Sequence, residues 1–312
     1  MNAVTESSPH RRPSPIAEDR SAPAPAVRRS RWALFLWPPL IVAGVLLLMP
    51  QAVLLWMSLH GSLGQGVQAE TISLDNYRRV LTDSLYLGSA VVTFRVSICA
   101  TLVALLMAVP TAYSLASIRS KRIASTLIVV LLVSSFVSIV IKALGLSLLI
   151  GREGLVNQAL IAVGLIDTPL AMLNNEIGVA IGLVQYTLPL LIMMVFSAVQ
   201  TIPFSLEEAA QVHGATWWST MRRVVFPILR PSLWSAALIA FNLNVGAFTS
   251  AVLLGGGRVL TLPVVIQRQF MLDIDYGLGT AIATLLLVVV FGLNLLAGVL
   301  AGRAAGGPRG SS

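Results

Sequence analysis

Six long apolar stretches, separated by short polar ones, dominate the chain. They run from about Trp32 to Met57, Leu87 to Leu115, Ile123 to Leu149, Ile177 to Val199, Leu233 to Leu254 and Leu278 to Ala301. Each is long enough to cross about 30 Å of hydrocarbon, which takes roughly 20 helical residues. A segment in lipid must satisfy its own backbone polar groups, so the pattern predicts helices. A membrane barrel would show alternating stretches of about ten residues, and none is seen. The expected fold class is an all-α polytopic membrane protein with six transmembrane helices. Pro110 and Pro189 fall inside the second and fourth stretches, where membrane helices tolerate proline, commonly with a kink.

The polar segments carry their own signals. Residues 1–31 are rich in Pro, Ser, Ala and Arg without apolar periodicity, which predicts a disordered tail. The stretch after this tail is too long for the apolar core of a signal peptide, so 32–58 reads as the first transmembrane helix. Leu74–Leu81 predicts a short interfacial helix. Gly151–Gly164 predicts a glycine turn and a short amphipathic helix, too short to be a seventh span. Residues 304–312 form a second polar tail.

Composition narrows the class. Hydrophobic residues make up 56% of the 312 and charged residues 11%, with a mean hydropathy of +0.85. Soluble proteins carry about 25% charged residues, so an ordinary soluble enzyme is excluded. The net charge of +8 would suit a nucleic-acid binder, but its distribution says otherwise. Of the 21 Lys and Arg, fourteen lie in the two tails, the Arg119–Arg122 loop and the loop from Gln200 to Arg230. Only five lie in the opposite loops, and Arg95 and Lys142 lie within spans. With the acids included, one side carries +9, the other −3 and the spans +2. The positive-inside rule then places both termini in the cytoplasm, with the lipid bilayer as surroundings and no nucleic-acid partner.

Candidate chemistry is sparse. Cys99 stands alone, which excludes an intrachain disulfide framework and a multi-cysteine metal site. The three histidines, at positions 10, 60 and 213, have no carboxylate or cysteine pattern around them, so no metal or catalytic site is expected. No Asp or Glu falls inside the spans as drawn, which weighs against a proton-coupled carrier. A secondary transporter or channel is the competing class. The only lysines, Lys121 and Lys142, do not follow glycine, so the chain has no G-x-x-x-x-G-K-[ST] loop to cradle a nucleotide.

The loop from 200 to 231 between the fourth and fifth stretches has local structure. Ser205 followed by Glu208 makes a capping box. Glu207 and Glu208 suit the first turn of a helix, Ala209 and Ala210 give it a small surface, and Gly214 ends it. Thr216 is placed to cap a second short helix, and Pro227 and Pro231 close the segment. Glu208-Ala209-Ala210, then Gly214-Ala215, then Phe226-Pro227 and Pro231, at this spacing and between two spans, resemble the EAA loop. That loop marks inner-membrane permease subunits of binding-protein-dependent ABC importers. His213 and Phe226 depart slightly from the usual pattern, which favours an apolar residue and Leu. The resemblance covers about 72–303, and SLDNYRRVL, GREGLVNQAL and GAFTSAVLLGG resemble stretches of the spermidine/putrescine branch. That branch is close to permeases for iron(III), opines and aminoethylphosphonate.

The resemblance implies a type I ABC importer permease fold and a set of partners. Two ATPase subunits would dock below, using ATP and Mg that this chain does not itself bind. A second permease subunit, different or identical, would complete the pathway, and an extracytoplasmic binding protein would deliver substrate, with a polyamine as the leading cargo. The coupling residues would be Glu207, Glu208, Ala209, Ala210, Gly214 and Ala215. Glu208 and Gly214 also suit simple helix capping, and the two roles are compatible. Pathway candidates are the span residues Gln185, Asn242, Asn244, Arg95 and Lys142. The three amides equally suit hydrogen bonds between helices. The two cations equally suit snorkelling to a span end. Asp273 and Asp275 suit solvated loop charge or contact with a binding protein, and Gly255–Gly257 suits a turn.

Overall fold

The computed structural model describes residues 32–64, 67–203, 205–206, 212 and 214–305. The expectations for the tail 1–31 and for residues 306–312 lie outside them. The chain divides into two compact units, Met1–Pro50 and Gln51–Ser312. Helix α1, Trp32–Ser58, contains Pro38, Pro39 and Pro50. In the first unit its side chains from Trp37 to Met49 are apolar and almost all exposed. A helix apolar on every face is one whose solvent is lipid.

The second unit opens with a feature that hydropathy passes over. Strands β1, His60–Gly64, and β2, Val67–Ile72, pair antiparallel, with His60 opposite Ile72 and Gly64 opposite Val67. The available sequence signal was the glycine cluster Gly61, Gly64 and Gly66. Helix α2, Asp75–Thr82, is the short helix expected near Leu74–Leu81. Its buried Asn76 donates from Nδ2 to the carbonyls of Ser58 and His60, at 3.0 and 2.9 Å, and so ties α2 to the hairpin. Gly277 lies against the same carbonyl: a Cβ there would meet His60 O at 2.3 Å.

Helix α3, Ser84–Ala116, is the longest and runs unbroken through Pro110. Asp83 caps it, accepting from the Leu85 amide at 2.9 Å. Every fourth residue from Ala100 to Ala112 is alanine, and all four have no exposed surface. A four-residue spacing places them on one face, and small side chains let two membrane helices approach closely. The partner is α7, Glu176–Val199, whose Leu191, Ile192, Val195 and Val199 pack into the same core. The third member of that core is the helix Phe226–Val245, through Leu229, Leu233, Ala236 and Ala240.

The third apolar stretch is not one straight span. It forms α4, Lys121–Phe136, and α5, Ile139–Ile150, with a 100° bend between the two halves. Val137 and Ser138 are extended at the break. No glycine or proline stands at this point, so hydropathy could not reveal it. Helix α6, Leu155–Ala162, follows as the short helix expected after Gly151. Residues Trp217–Thr220 form α8, Met221–Val225 a π turn, and Phe226–Val245 α9. The fifth stretch also breaks earlier than its hydropathy suggests. It ends at Gly246 and resumes as α10, Thr249–Gly255, and α11, Leu262–Met271. Helix α12, Tyr276–Ala305, ends the described chain. Among the described residues, five helices are long and apolar enough to cross a membrane, and α4 with the bent half after it makes a sixth crossing if counted as one.

The two broken stretches meet. Ala143, Leu146 and Ile150 of α5 pack with Leu254 of α10. Gly182 of α7 makes room for this contact, since a Cβ there would lie 2.2 Å from Leu254 Cδ1. The Gly255–Gly257 turn is closely packed at its first two positions: a Cβ on Gly256 would lie 1.9 Å from Asn174 Oδ1, at a φ of +55°. Backbone without regular hydrogen bonds is tolerated at membrane depth only when protein or a water-filled cavity surrounds it. At the second break Ala247 and Phe248 are partly buried, whereas Phe136, Val137 and Ser138 at the first are exposed.

Candidate functional site

The loop that carried the sequence signal is described in part. Glu207, Glu208, Ala209, Ala210 and His213 lie outside the described residues. Gly214 has a φ of +78°, the left-handed conformation that glycine supplies after a helix end. Gly214, Ala215, Thr216, Ser219, Thr220, Arg223 and Val224 border an open hollow of about 480 Å³. Thr216 Oγ1 accepts from the Ser219 amide at 3.4 Å, a long version of the expected cap. The rod from Trp217 to Val245 then carries this region directly into the core through Val225, Leu229 and Leu233.

Two of the five span candidates meet at the broken helices. Lys142 of α5 and Gln185 of α7 line one narrow crevice together with Tyr186 and Ser250. Ile139, Ala143 and Gly182 complete its walls. Among the described residues no carboxylate forms an ion pair with Lys142.

Arg95 has a different surrounding. Its guanidinium donates to Glu176 Oε1, at the first residue of α7. Helical rise explains the depth of this pair. Counting back roughly 20 residues, or about 30 Å, from Ala116 beside the basic Arg119–Arg122 loop reaches the region of Val96. Arg95 and Glu176 thus stand at the far rim of the hydrocarbon layer, and both side chains are at least one-third exposed, at 61% and 37%. The first turns of α3 project beyond that rim.

The two asparagines each join helices. Asn242 of α9 and Asn294 of α12 exchange amide hydrogen bonds, both at 2.9 Å. Asn244 is only 2% exposed and donates to Thr101 Oγ1 of α3 at 3.0 Å, while its own Oδ1 has no partner. In this conformation both asparagines tie α9 to its neighbours.

The two loop acids are held by local hydrogen bonds. Asp275 Oδ1 accepts from the Leu278 amide at 3.0 Å and heads α12. Asp273 Oδ2 accepts from Gln269 Nε2 at 2.8 Å. Sequence reasoning missed Glu176, Thr101, Asn294, Tyr186 and Ser250. Asn294 was open to the rule that singled out the other span amides, whereas pairing Glu176 with Arg95 needs the relative depth of two helices. Among the described residues no three metal-binding side chains lie together.

Comparison with known proteins gives this arrangement its context. The family model described as "Binding-protein-dependent transport system inner membrane component" matches residues 172–306. The spermidine/putrescine transport system permease protein PotB of Escherichia coli is 32% identical over 224 residues, covering 72% of this chain and 80% of that protein. The putative 2-aminoethylphosphonate transport system permease protein PhnU of Salmonella paratyphi A is 26% identical over 284 residues, covering 90% and 94%. A solved bacterial ABC transporter involved in alginate import has a chain of the same fold, with a TM-score of 0.73 at 20% identity, covering 88% of this chain and 96% of that one. The chain belongs to the family of inner-membrane components of binding-protein-dependent transport systems, the permease subunits of ABC importers. It is accordingly a multi-pass inner-membrane protein, and its family is one of permeases rather than ATPases.

Proposed function

We propose that this subunit forms half of the membrane pathway of an ATP-driven polyamine importer and takes its drive from a separate ATPase through Glu207–Ala215. The observation that carries the cargo assignment is the 32% identity to a spermidine/putrescine permease over 72% of the chain. The net −3 of the loops assigned to the outer side suits a cationic cargo. ATP and Mg belong to the partner ATPase. A second permease chain completes the pathway, and an extracytoplasmic binding protein delivers the substrate. Both termini lie in the cytoplasm, so the basic loop ends of the helices face the ATPase.

In this reading Lys142 and Gln185 line the pathway beside the broken helices. Asn242 and Asn244 join the lining when α9 moves from α12 and α3. Arg95 with Glu176 marks the outer mouth. A second cargo, 2-aminoethylphosphonate, is favoured by Lys142, whose ammonium suits a phosphonate better than a polyamine. Binding by the cognate extracytoplasmic protein separates them. Tight binding of spermidine or putrescine supports the first cargo, and binding of the phosphonate without polyamine binding replaces it with the second.

A further inference from the structure

The rod that joins the coupling loop to the core contains one residue too many for a regular α-helix. Up to Asn244 its buried positions are Thr220, Val225, Leu229, Leu233, Ala236, Ala240 and Asn244. From Val225 onward they are three or four residues apart, as one face of an α-helix requires. From Thr220 to Val225 the step is five. The π turn Met221–Val225 absorbs the extra residue, and the Phe226 amide reaches back five positions to Met221 O. Met221, four residues before Val225, packs against the core only in part, and Arg222, three before it, is exposed, so the fully buried face steps across the π turn to Thr220.

The same place is poor in backbone hydrogen bonds. Pro227 and Pro231 have no N–H, so neither can bond to the carbonyl four residues earlier. Proline rings also press on that carbonyl, and a widened turn just before Pro227 relieves the pressure. Thr220 is 6% exposed and its Oγ1 has no partner. A buried hydroxyl left open at a non-α turn suits a segment with a second arrangement. From Val225 onward the rod is locked into the core by Val225, Leu229, Leu233, Ala236 and Ala240.

We infer that Thr220–Val225, the π turn and the residue before it, is the joint at which the coupling loop swings relative to α9. Movement of the loop by the ATPase would bend the rod here, and the π turn would set both the direction of the loop and the point of flexure. The inference rests on the proposed coupling role of Glu207–Ala215. It goes further in assigning positioning residues that touch neither ATPase nor substrate.

The test uses the assembled importer purified with its ATPase, in a Cys99→Ser background, with spin labels at Ser219→Cys and Ser235→Cys on either side of the joint. The distance between labels should shift between the nucleotide-free and ATP-trapped states. A distance that stays fixed while the bound ATPase still cycles overturns the joint and leaves the coupling role standing. Failure of the permease to retain any ATPase overturns the coupling role and the joint with it. Deletion of Arg222 supplies a second measurement, because it returns the step to four residues and keeps Thr220 on the buried face. That variant should retain ATPase in normal amount, show a fixed label distance, and lose about tenfold or more of its uptake. Normal uptake by the deletion variant overturns the proposal.

Discussion

Replacing Asn157 with Ala should loosen one loop by a calculable amount. Asn157 has no exposed surface. Its Nδ2 donates to the carbonyls of Gly151 and Leu170, at 2.9 and 3.1 Å, and its Oδ1 accepts from the Leu170 amide at 2.8 Å. One side chain thus closes the segment from Gly151 to Leu170 on itself. Each such bond contributes about 1 kcal/mol net, and buried groups left without partners cost more, so the loss is about 3 kcal/mol. At about 1.4 kcal/mol for each factor of ten, the Leu170 amide should exchange roughly 100-fold faster. The loss is local, because the loop can open without the helices separating. Beyond Leu170 the same segment packs Met172 and Leu173 beside α5 and α10, and the Asn174 amide donates to Leu254 O at 2.8 Å. Loosening should therefore reach the broken helices and lower uptake. Hydrogen exchange of the peptide covering 151–175, read by mass spectrometry, is the assay. Unchanged protection in the Asn157→Ala protein would refute the reasoning, since it would mean that the three bonds do not hold the loop.

Other changes separate roles within the membrane. Ala104→Leu forces a large side chain into the α3–α7 contact and should cost about 1–3 kcal/mol, read as a lower melting temperature in detergent, while Leu106→Ala on the exposed face of α3 should leave it unchanged. Arg95→Glu should reduce uptake, and Glu176→Arg in the same chain should restore part of it; equal defects in the single and double variants would remove the ion pair from the account. Glu208→Lys should abolish co-purification of the ATPase with little effect on membrane insertion, which a membrane-fraction blot and a pull-down measure together. The double change Asn244→Leu with Thr101→Val removes a buried acceptor along with its neighbour and should leave the melting temperature unchanged or raised, because replacing both partners avoids an unpaired group.

The parts of this fold readable from sequence are those that one segment decides alone. The positions of the long spans followed from apolar length, because a lipid-embedded helix satisfies its own backbone. Helix α2 and helix α6 followed from local signals at Leu74–Leu81 and Gly151–Gly164. The breaks at Val137–Ser138 and Gly246–Phe248 were hidden, because both stretches stay apolar through them and apolar length does not record the direction of the backbone. The hairpin at His60–Ile72 was hidden because its polar, glycine-containing sequence carries no apolar alternation, and Asn76, 16 residues beyond His60, holds its edge. At the candidate site, residue type singled out Lys142, Gln185, Asn242 and Asn244 as unusual in lipid. Only the packing of α5 against α10 and of α9 against α3 and α12 distinguishes the crevice pair from the two helix ties.

The most direct test of the whole account is substrate uptake into proteoliposomes holding this permease with its ATPase and partner permease. Labelled spermidine should accumulate only when ATP is on the ATPase side and the binding protein is on the other. Accumulation by this chain alone, driven by an ion gradient without ATP or binding protein, would contradict it.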